Sequence, residues 1–231
     1  MGRFDESKCV VWPVGPGDDS ILRTVFKSKG KAMKQNRVWC LVLLVCVIVW
    51  APGCPRLVFF PDEGLETAIR AAISKPLGFL TEADLSGITA LDARNYGIRN
   101  ISGIEFCNNL AWLDLDTNQI ADLRPLEQLG RPESPFDSTL VYLNLDGNEI
   151  TDITPLSGLL NLKQLSLFNN QVADITALVT NVEAGGALES AVLDSRTLGE
   201  EAVNVDIPTL TSYGVQVTLG VPQTGGGTTT R

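Results

Sequence analysis

Three segments of the chain carry the same pattern of hydrophobic and polar positions. Each fits L-x-x-L-x-L-x-x-N-x-[IV], and the segments are Leu110–Ile120, Leu140–Ile150 and Leu162–Val172. The alternating leucines predict a short β-strand whose side chains point alternately into a core and out of it. One such turn cannot bury its leucine face alone, so the pattern predicts turns stacked around a continuous core.

The spacing of the asparagines in these segments predicts one inserted loop. Asn148 and Asn170 are 22 residues apart, whereas Asn118 and Asn148 are 30 apart. The additional residues fall in the polar, proline-containing stretch 130–138, which we expect to form a loop. Each asparagine is expected to point inward and to donate its amide to loop carbonyls of neighbouring turns, as a structural ladder.

Degenerate copies of the pattern extend the repeat at both ends, with Tyr96 and Arg196 at the asparagine position. The sequence therefore predicts about five turns over residues 85–198. After each leucine segment comes a second phrase, and Pro125 and Pro155 restrict two of these phrases to a 3₁₀ or irregular path. The predicted fold is an α/β leucine-rich-repeat solenoid, with a parallel concave sheet and a 3₁₀ or irregular convex side.

The leucine pattern followed by the D-[IL]-x-P-L phrase resembles the bacterial, internalin-like class of leucine-rich repeats, over residues 60–220. The resemblance implies a helical N-terminal cap at residues 55–84. A C-terminal cap is expected at residues 199–221, because the last turn would otherwise expose an apolar edge. Its apolar residues are Ala202, Val203, Ile207 and Leu210, and it ends in a strand at Val215–Leu219. Thr81 and Asp84 have the spacing of a helix start. One helical face of the N-terminal cap is expected to carry Leu65, Ala68, Ile69, Ala72 and Ile73.

The outward residues of the predicted strands form three columns across the concave sheet. Two aromatic residues are adjacent in the first column, and carboxylates lie beside them, which is typical of an interaction patch. For the acidic residues, ordinary solvation is the favoured explanation, and for the aromatic pair surface packing is an equal alternative to binding. The candidate ligand-binding residues are Trp112, Asp114, Asp116, Tyr142, Asn144, Asp146, Gln164 and Phe168.

The N-terminal part of the chain has the pattern of an export signal. A basic segment at residues 33–37 precedes fourteen uncharged residues at 38–51, and Ala51-Pro52-Gly53-Cys54 follows. This resembles a bacterial lipoprotein signal over residues 33–54, which implies lipidation of Cys54. Cleavage without lipid, or an uncleaved anchor extended by Leu57–Phe60, are the alternatives. Residues 1–32 are interpreted as a leader or a misassigned start with no assigned fold, and residues 222–231 as a disordered tail.

Composition narrows the possible chemistry. The chain has no histidine, and residues 54–231 carry ten Lys and Arg against twenty-three Asp and Glu, a net charge of −13. Such a body repels phosphate, so a nucleic-acid partner is not expected. We expect no catalytic residues, metal or cofactor, because the Asp cluster lies on an open floor and no calcium-loop pattern is present. Cys107 falls on a core position and is expected to be a buried structural thiol.

The sequence therefore predicts an exported, lipid-anchored binding module of the cell envelope, facing the periplasm or the exterior and monomeric. Its concave face is expected to recognise a protein or a surface glycan. Two alternatives stay open, since a fold alone does not fix a function. One is a structural envelope protein without a specific ligand, and the other is a docking subunit for a separate enzyme.

Overall fold

The computed structural model describes residues 56–130 and 139–220. The predictions for the leader, the signal segment with Cys54, most of the loop at 130–138 and the tail lie outside these ranges. The described chain begins with a cap in which β1 (Leu57–Val58) pairs antiparallel with β2 (Leu80–Thr81). Between these strands lies helix α1 (Glu63–Ala72), and α2 (Glu82–Leu85) follows directly.

Both helices of the N-terminal cap begin at residues whose side chains bind the first free amides. The Asp62 carboxylate accepts from the Leu65 amide, and Thr81 with Asp84 forms the reciprocal capping box that their spacing predicts. The helical face of α1 is confirmed for Leu65, Ala68 and Ile69, which are buried, and Ile73 packs partly against the core. The prediction for Ala72 is wrong: it is exposed, because α1 ends at this residue.

Six parallel strands follow the order of the chain in one sheet: β3 (Ala90–Asp92), β4 (Trp112–Asp114), β5 (Tyr142–Asn144), β6 (Gln164–Ser166), β7 (Ser190–Asp194) and β8 (Gln216–Gly220). Leu91, Leu113, Leu143 and Leu165 pair in register and are buried. The predicted repeat fold is thereby confirmed, and the C-terminal strand is a sixth member of the sheet rather than a separate element.

The chain returns between strands through short helices. Two of them are 3₁₀ turns, Ile104–Phe106 and Thr154–Leu156. Helix α3 (Arg124–Glu127) has Pro125 in its first turn, where proline is tolerated, and continues as a 3₁₀ turn over Gln128–Gly130. The second and fourth returns differ from the predicted 3₁₀ or irregular path, since α3 is α-helical and the fourth return is an eight-residue helix, α4 (Thr176–Glu183). The fourth return has room for a longer helix because the paired residues Gln164 and Ser190 are 26 apart, whereas Tyr142 and Gln164 are 22 apart.

The asparagine side chains connect successive turns through buried hydrogen bonds. Asn148 accepts from the Ile120 amide at 3.0 Å and donates to the carbonyls of Leu115 and Leu145, both at 3.0 Å. Asn118 and Asn170 make the equivalent contacts one turn before and one turn after. The amides therefore satisfy buried backbone groups where the chain leaves each strand.

The C-terminal cap is helical before its strand. A π-type turn over Ala202–Asp206 continues into α5 (Ile207–Ser212). Ala202 and Leu210 are buried, whereas Val203 is 44% exposed and does not contribute to the core as its apolar character suggested. The cap covers the end of the leucine core, which would otherwise face solvent.

Candidate binding surface on the concave sheet

Trp112 and Tyr142 are paired residues of neighbouring strands and form the largest feature of the outward sheet face. They are directly opposite in the β4–β5 register, and their ring centroids are 5.3 Å apart at an interplanar angle of 9°. The stacking follows from the sheet, since adjacent strands place opposed side chains about 5 Å apart. Each ring is half-buried. On the other side of Trp112 the opposed residue is Ala90, whose methyl group is too small to cover an indole.

The ends of the strands are shaped by side chains that bind the backbone two residues ahead. Asp92 accepts from the Arg94 amide, Asp114 from the Asp116 amide at 3.1 Å, and Asn144 from the Asp146 amide at 3.0 Å. Asp and Asn favour this local turn because their oxygens reach the second following N–H. Asp92, Asp114 and Asn144 belong to the second outward column, which continues with Ser166 and Val192. Part of this column is therefore taken up by hydrogen bonds to its own backbone.

The expectation that Asp114 is exposed on the concave floor is wrong. Asp114 is only 4% exposed, and its carboxylate accepts from the Asp116 amide. Desolvation raises the pKa of Asp114, although Arg94 lies 3.6 Å from its carboxylate and opposes the shift. This carboxylate is a part of the local structure and presents little surface to a ligand.

Asp146 reaches across to the next strand. Its Oδ1 atom accepts from the Ser166 hydroxyl at 2.6 Å and from the Phe168 amide at 2.7 Å. Ser166 is too short to close the strand-end turn that Asp and Asn close in the other repeats, so Asp146 takes that role. Desolvation raises the pKa of Asp146, and the charges of Asp116 and Asp114 act in the same direction.

The aromatic pair lies in an electronegative environment. Desolvation raises the pKa of Tyr142, and the charges of Asp114 and Asp146 add to this shift. The nearest cation, Arg94, is bound by Asp92 through two hydrogen bonds of 2.9 and 2.7 Å. That ion pair was not anticipated as a feature of the surface. The sequence pattern that predicts this ion pair is D-x-R, because the same spacing forms ion pairs at Asp122–Arg124 and Asp194–Arg196.

The remaining candidate residues lie on the same face but apart from the aromatic pair. Asp116 and Asn144 are half-buried beside the pair, and Gln164 is exposed opposite Tyr142 in the next strand. The Phe168 ring is close to Gly220, where an added Cβ would be 2.4 Å from it. Phe168 therefore covers the end of β8 with part of its ring, and Gln164 is the freer neighbour of Tyr142.

Other chemistry is limited within the described residues. Over 56–130 and 139–220, no three His, Cys, Asp or Glu residues come together in a way that could hold a metal ion. No helix in these ranges is long and apolar enough to cross a membrane. Cys107 is fully buried, and desolvation, with a smaller effect of Glu105, raises the pKa of its thiol to about 12. This is the environment of a structural thiol, since the reactive form is the thiolate.

Comparisons with known proteins agree with this architecture. A family model of two leucine-rich repeats matches residues 138–180. Internalin H of Listeria monocytogenes is 45% identical over 65 residues, which are 27% of this chain and 12% of that protein. The crystal structure of an internalin (inlF) from Listeria monocytogenes is similar at a TM-score of 0.55 and 32% identity, covering 68% of this chain and 42% of that one. The repeat fold is thus like that of internalins, and this chain spans less than half the length of either relative.

Proposed function

We propose that this internalin-like leucine-rich-repeat chain is an exported, lipid-anchored binding module that recognises a protein or a surface glycan through its concave face. The observation that carries the proposal is the stacked Trp112–Tyr142 pair on the second and third strands of the outward sheet. Tryptophan and tyrosine are the residues most enriched at the energetic centres of interfaces. They present large, stiff surfaces at a low cost in conformational entropy.

The dimensions of the sheet support a ligand of moderate size. Six strands spaced about 4.8 Å apart give a floor about 24 Å wide, which matches a loop or an extended segment of another protein, or several sugar rings. The aromatic pair lies on β4 and β5, and Gln164 on β6 offers an exposed amide beside it. Apolar faces with a few polar groups at their edge are the usual composition of a recognition site.

Attachment to the membrane is the second part of the proposal and rests on the sequence. The basic segment 33–37, the apolar segment 38–51 and Cys54 are in the order that a lipoprotein signal requires. The intact mass of the protein recovered from membranes tests it. A chain that begins at an acylated Cys54 supports attachment, and a chain that begins at Met1 and is recovered from the cytosol contradicts it.

Binding by the concave face is tested with a photo-cross-linking residue at Gln164 in the producing cells. We expect a discrete cross-linked product, and protease and glycosidase digestion then tell a protein ligand from a glycan. The double change Trp112→Ala and Tyr142→Ala should reduce this product at least about 30-fold, because each aromatic residue at a hot spot contributes on the order of 2 kcal/mol.

The matched control is Tyr213→Ala, which removes an exposed aromatic ring of the C-terminal cap. It should leave the product at Gln164 unchanged. Thermal unfolding of each variant shows that the solenoid is intact. If the double variant cross-links as well as the original chain, the concave aromatic pair is not the binding site.

A further inference from the structure

Three large hydrophobic side chains are exposed together on the N-terminal cap. Phe59 is 65% exposed, Leu77 83% and Phe79 67%, which are the highest values among the exposed large hydrophobic residues of the described chain. We refer to these three residues as the cap patch. Single exposed apolar residues need no explanation, but a contiguous group of this kind marks an interaction surface.

The pairing of β1 with β2 brings Phe59 and Phe79 together, and Leu77 precedes Phe79 by two residues in the chain. Val58 pairs with Leu80, so the same register places Phe59 opposite Phe79 one step further along. Side chains alternate along each strand, and Val58 and Leu80 are therefore buried while Phe59 and Phe79 face outward.

The loop that carries Leu77 is hydrogen-bonded to helix α1 of the cap. The Arg70 guanidinium donates to the Lys75 carbonyl at 3.1 Å and to the Gly78 carbonyl at 2.9 Å. Gly78 has a φ of 92°, which other residues rarely adopt, and this allows the loop to turn into β2. The hydrogen bonds of Arg70 to the carbonyls of Lys75 and Gly78 therefore hold the loop that carries Leu77.

The cap is also fixed to the first repeat. The Asp62 carboxylate accepts from the amides of Arg99 at 2.8 Å and Asn100 at 3.1 Å, and from its own helix at Leu65. The Phe60 ring packs so closely on Gly103 that a Cβ there would be 2.5 Å from it. Whatever the cap patch contacts will therefore set the orientation of the whole solenoid.

The cap patch lies at the point where the chain reaches the proposed lipid attachment. Phe59 follows Cys54 by five residues, and five residues span at most about 18 Å when extended. If Cys54 carries acyl chains in the membrane, Phe59 cannot be further from the bilayer than this. The interfacial region of each leaflet is itself about 5–8 Å thick, so the patch is within reach of the lipid surface.

The charges of the cap are compatible with such a contact. Its cations are each paired with a carboxylate, Arg56 with Glu82, Arg70 with Glu66 and Lys75 with Asp84. The chain from residue 54 onward has ten Lys and Arg against twenty-three Asp and Glu, so anionic lipid repels the body as a whole. The cap itself has three cations against five carboxylates, a net charge of −2, so the three exposed apolar side chains, and not charge, supply the attraction to the lipid.

We propose that the cap patch inserts into the lipid interface beside the anchored Cys54 and so fixes the orientation of the solenoid on the membrane. This inference rests on the proposed membrane attachment. Apolar side chains next to a lipid anchor supply a second membrane contact, and they enter the boundary between headgroups and acyl chains.

The test uses the mature chain acylated at Cys54, reconstituted into vesicles of phosphatidylethanolamine and phosphatidylglycerol. An environment-sensitive fluorophore is placed on Leu77→Cys, and Cys107 stays unlabelled because it is buried. Spin-labelled lipids with the label near the glycerol should quench this probe about twofold, since interfacial apolar groups lie ~5–10 Å deep. The same probe on Tyr213→Cys, an exposed apolar position of the C-terminal cap, should not be quenched.

The decisive variant is Phe59→Ser with Phe79→Ser in the Leu77→Cys background. Both side chains are exposed, so we expect the unfolding midpoint to stay unchanged while the quenching disappears. If this variant is quenched as strongly as the parent, the tether alone brings the probe near lipid and the insertion is wrong.

Three further outcomes show whether this inference alone fails or fails together with the attachment on which it rests. A chain that is retained on the vesicles but shows no quenching at position 77 overturns the insertion and leaves the lipid anchor in place. A probe that is shielded only at high protein density and is not quenched by lipid shows that a second copy covers the patch, which also overturns it. A mature chain without an acyl group, washed off the vesicles, overturns the attachment and the insertion together.

Discussion

Replacing Asn148 by alanine tests how the asparagine ladder holds successive repeats together. The Asn148 Oδ1 atom accepts from the amide of Ile120, a residue that is completely buried. The Nδ2 group donates to the carbonyls of Leu115, Leu145 and Asp146, each at 3.0 Å. Alanine removes all of these bonds, and the structure shows which backbone groups are left without a partner.

The three carbonyls keep other donors, which are Asn118 Nδ2 for Leu115, Asn170 Nδ2 for Leu145 and the Thr117 amide for Asp146. The Ile120 amide has only Asn148 among its hydrogen-bond partners. The unsatisfied amide of Ile120 costs about 1–3 kcal/mol, and the hydrogen bonds of the two N–H groups on the lost Asn148 amide contribute about 1 kcal/mol each. We therefore expect Asn148→Ala to lower the free energy of unfolding by about 3–5 kcal/mol.

Urea unfolding followed by circular dichroism measures this loss as a lower midpoint at an unchanged slope. Asn109→Ala is the matched control, because Asn109 makes one exposed bond to the Ser86 carbonyl, and it should cost less than about 0.5 kcal/mol. In Asn148→Asp the carboxylate faces three carbonyls, which raises its pKa in the folded state. Its cost should therefore grow as pH rises from about 4 to about 7. If Asn148→Ala loses no more than Asn109→Ala, the ladder does not hold the repeats as argued.

Three further outcomes follow from the packing and the charges. In the same urea assay, Gly103→Ala should lower the free energy of unfolding by at least about 1 kcal/mol more than Gly185→Ala. Both glycines have φ near 100°, but only at Gly103 would the added Cβ meet a ring, that of Phe60. Equal losses of free energy in the two variants would contradict that contact. Cys107 should not react with a thiol reagent until the chain unfolds, and rapid labelling in native conditions would contradict its burial. Burial and two neighbouring carboxylates raise the pKa of Asp206 in the folded state. The free energy of unfolding therefore falls as pH rises from the pKa of the unfolded chain through the higher pKa of the folded chain. Asp206→Asn should raise the urea midpoint at about pH 7 and leave it unchanged at about pH 3, and an equal effect at both would contradict the shift.

The sequence was sufficient for the repeat fold because a solenoid makes contacts mainly between neighbouring copies. Once Asn118, Asn148 and Asn170 are aligned, the register of the strands follows, and Trp112 must lie opposite Tyr142. The sixth strand was predicted as an element, but its membership in the sheet depended on the length of the C-terminal cap, which no repeat determines. The repeat pattern alone does not predict the helix at Thr176–Glu183, because this return is four residues longer than the one before it.

The site was less predictable, because the burial of a short polar side chain depends on its neighbours on the sheet and not only on its place in the repeat. Asp92, Asp114 and Asn144 each accept from the amide two residues ahead, yet only Asp114 of the three is buried. The cap shows the same limit. The uncleaved-anchor alternative treated Leu57–Phe60 as a continuous apolar run, and that extension is wrong because Val58 and Phe60 enter the core while Phe59 faces outward. A run of four apolar residues does not reveal this alternation, because the partner strand that sets it is more than twenty residues away.

The hydrogen bonds of the concave face decide which substitutions can report on ligand binding. Asp146 holds Ser166 and the Phe168 amide, so its removal changes the loop after β6 as well as the surface charge. Asp114 shapes the end of β4 in the same way. If a variant of Asp114 or Asp146 lost binding, the loss would not distinguish a changed local structure from a lost contact with the ligand. The Trp112 and Tyr142 rings contact each other above the sheet, so replacing both removes ligand surface without leaving one ring unpaired. The replacement leaves the hydrogen bonds of Asp114 and Asp146 at the strand ends in place.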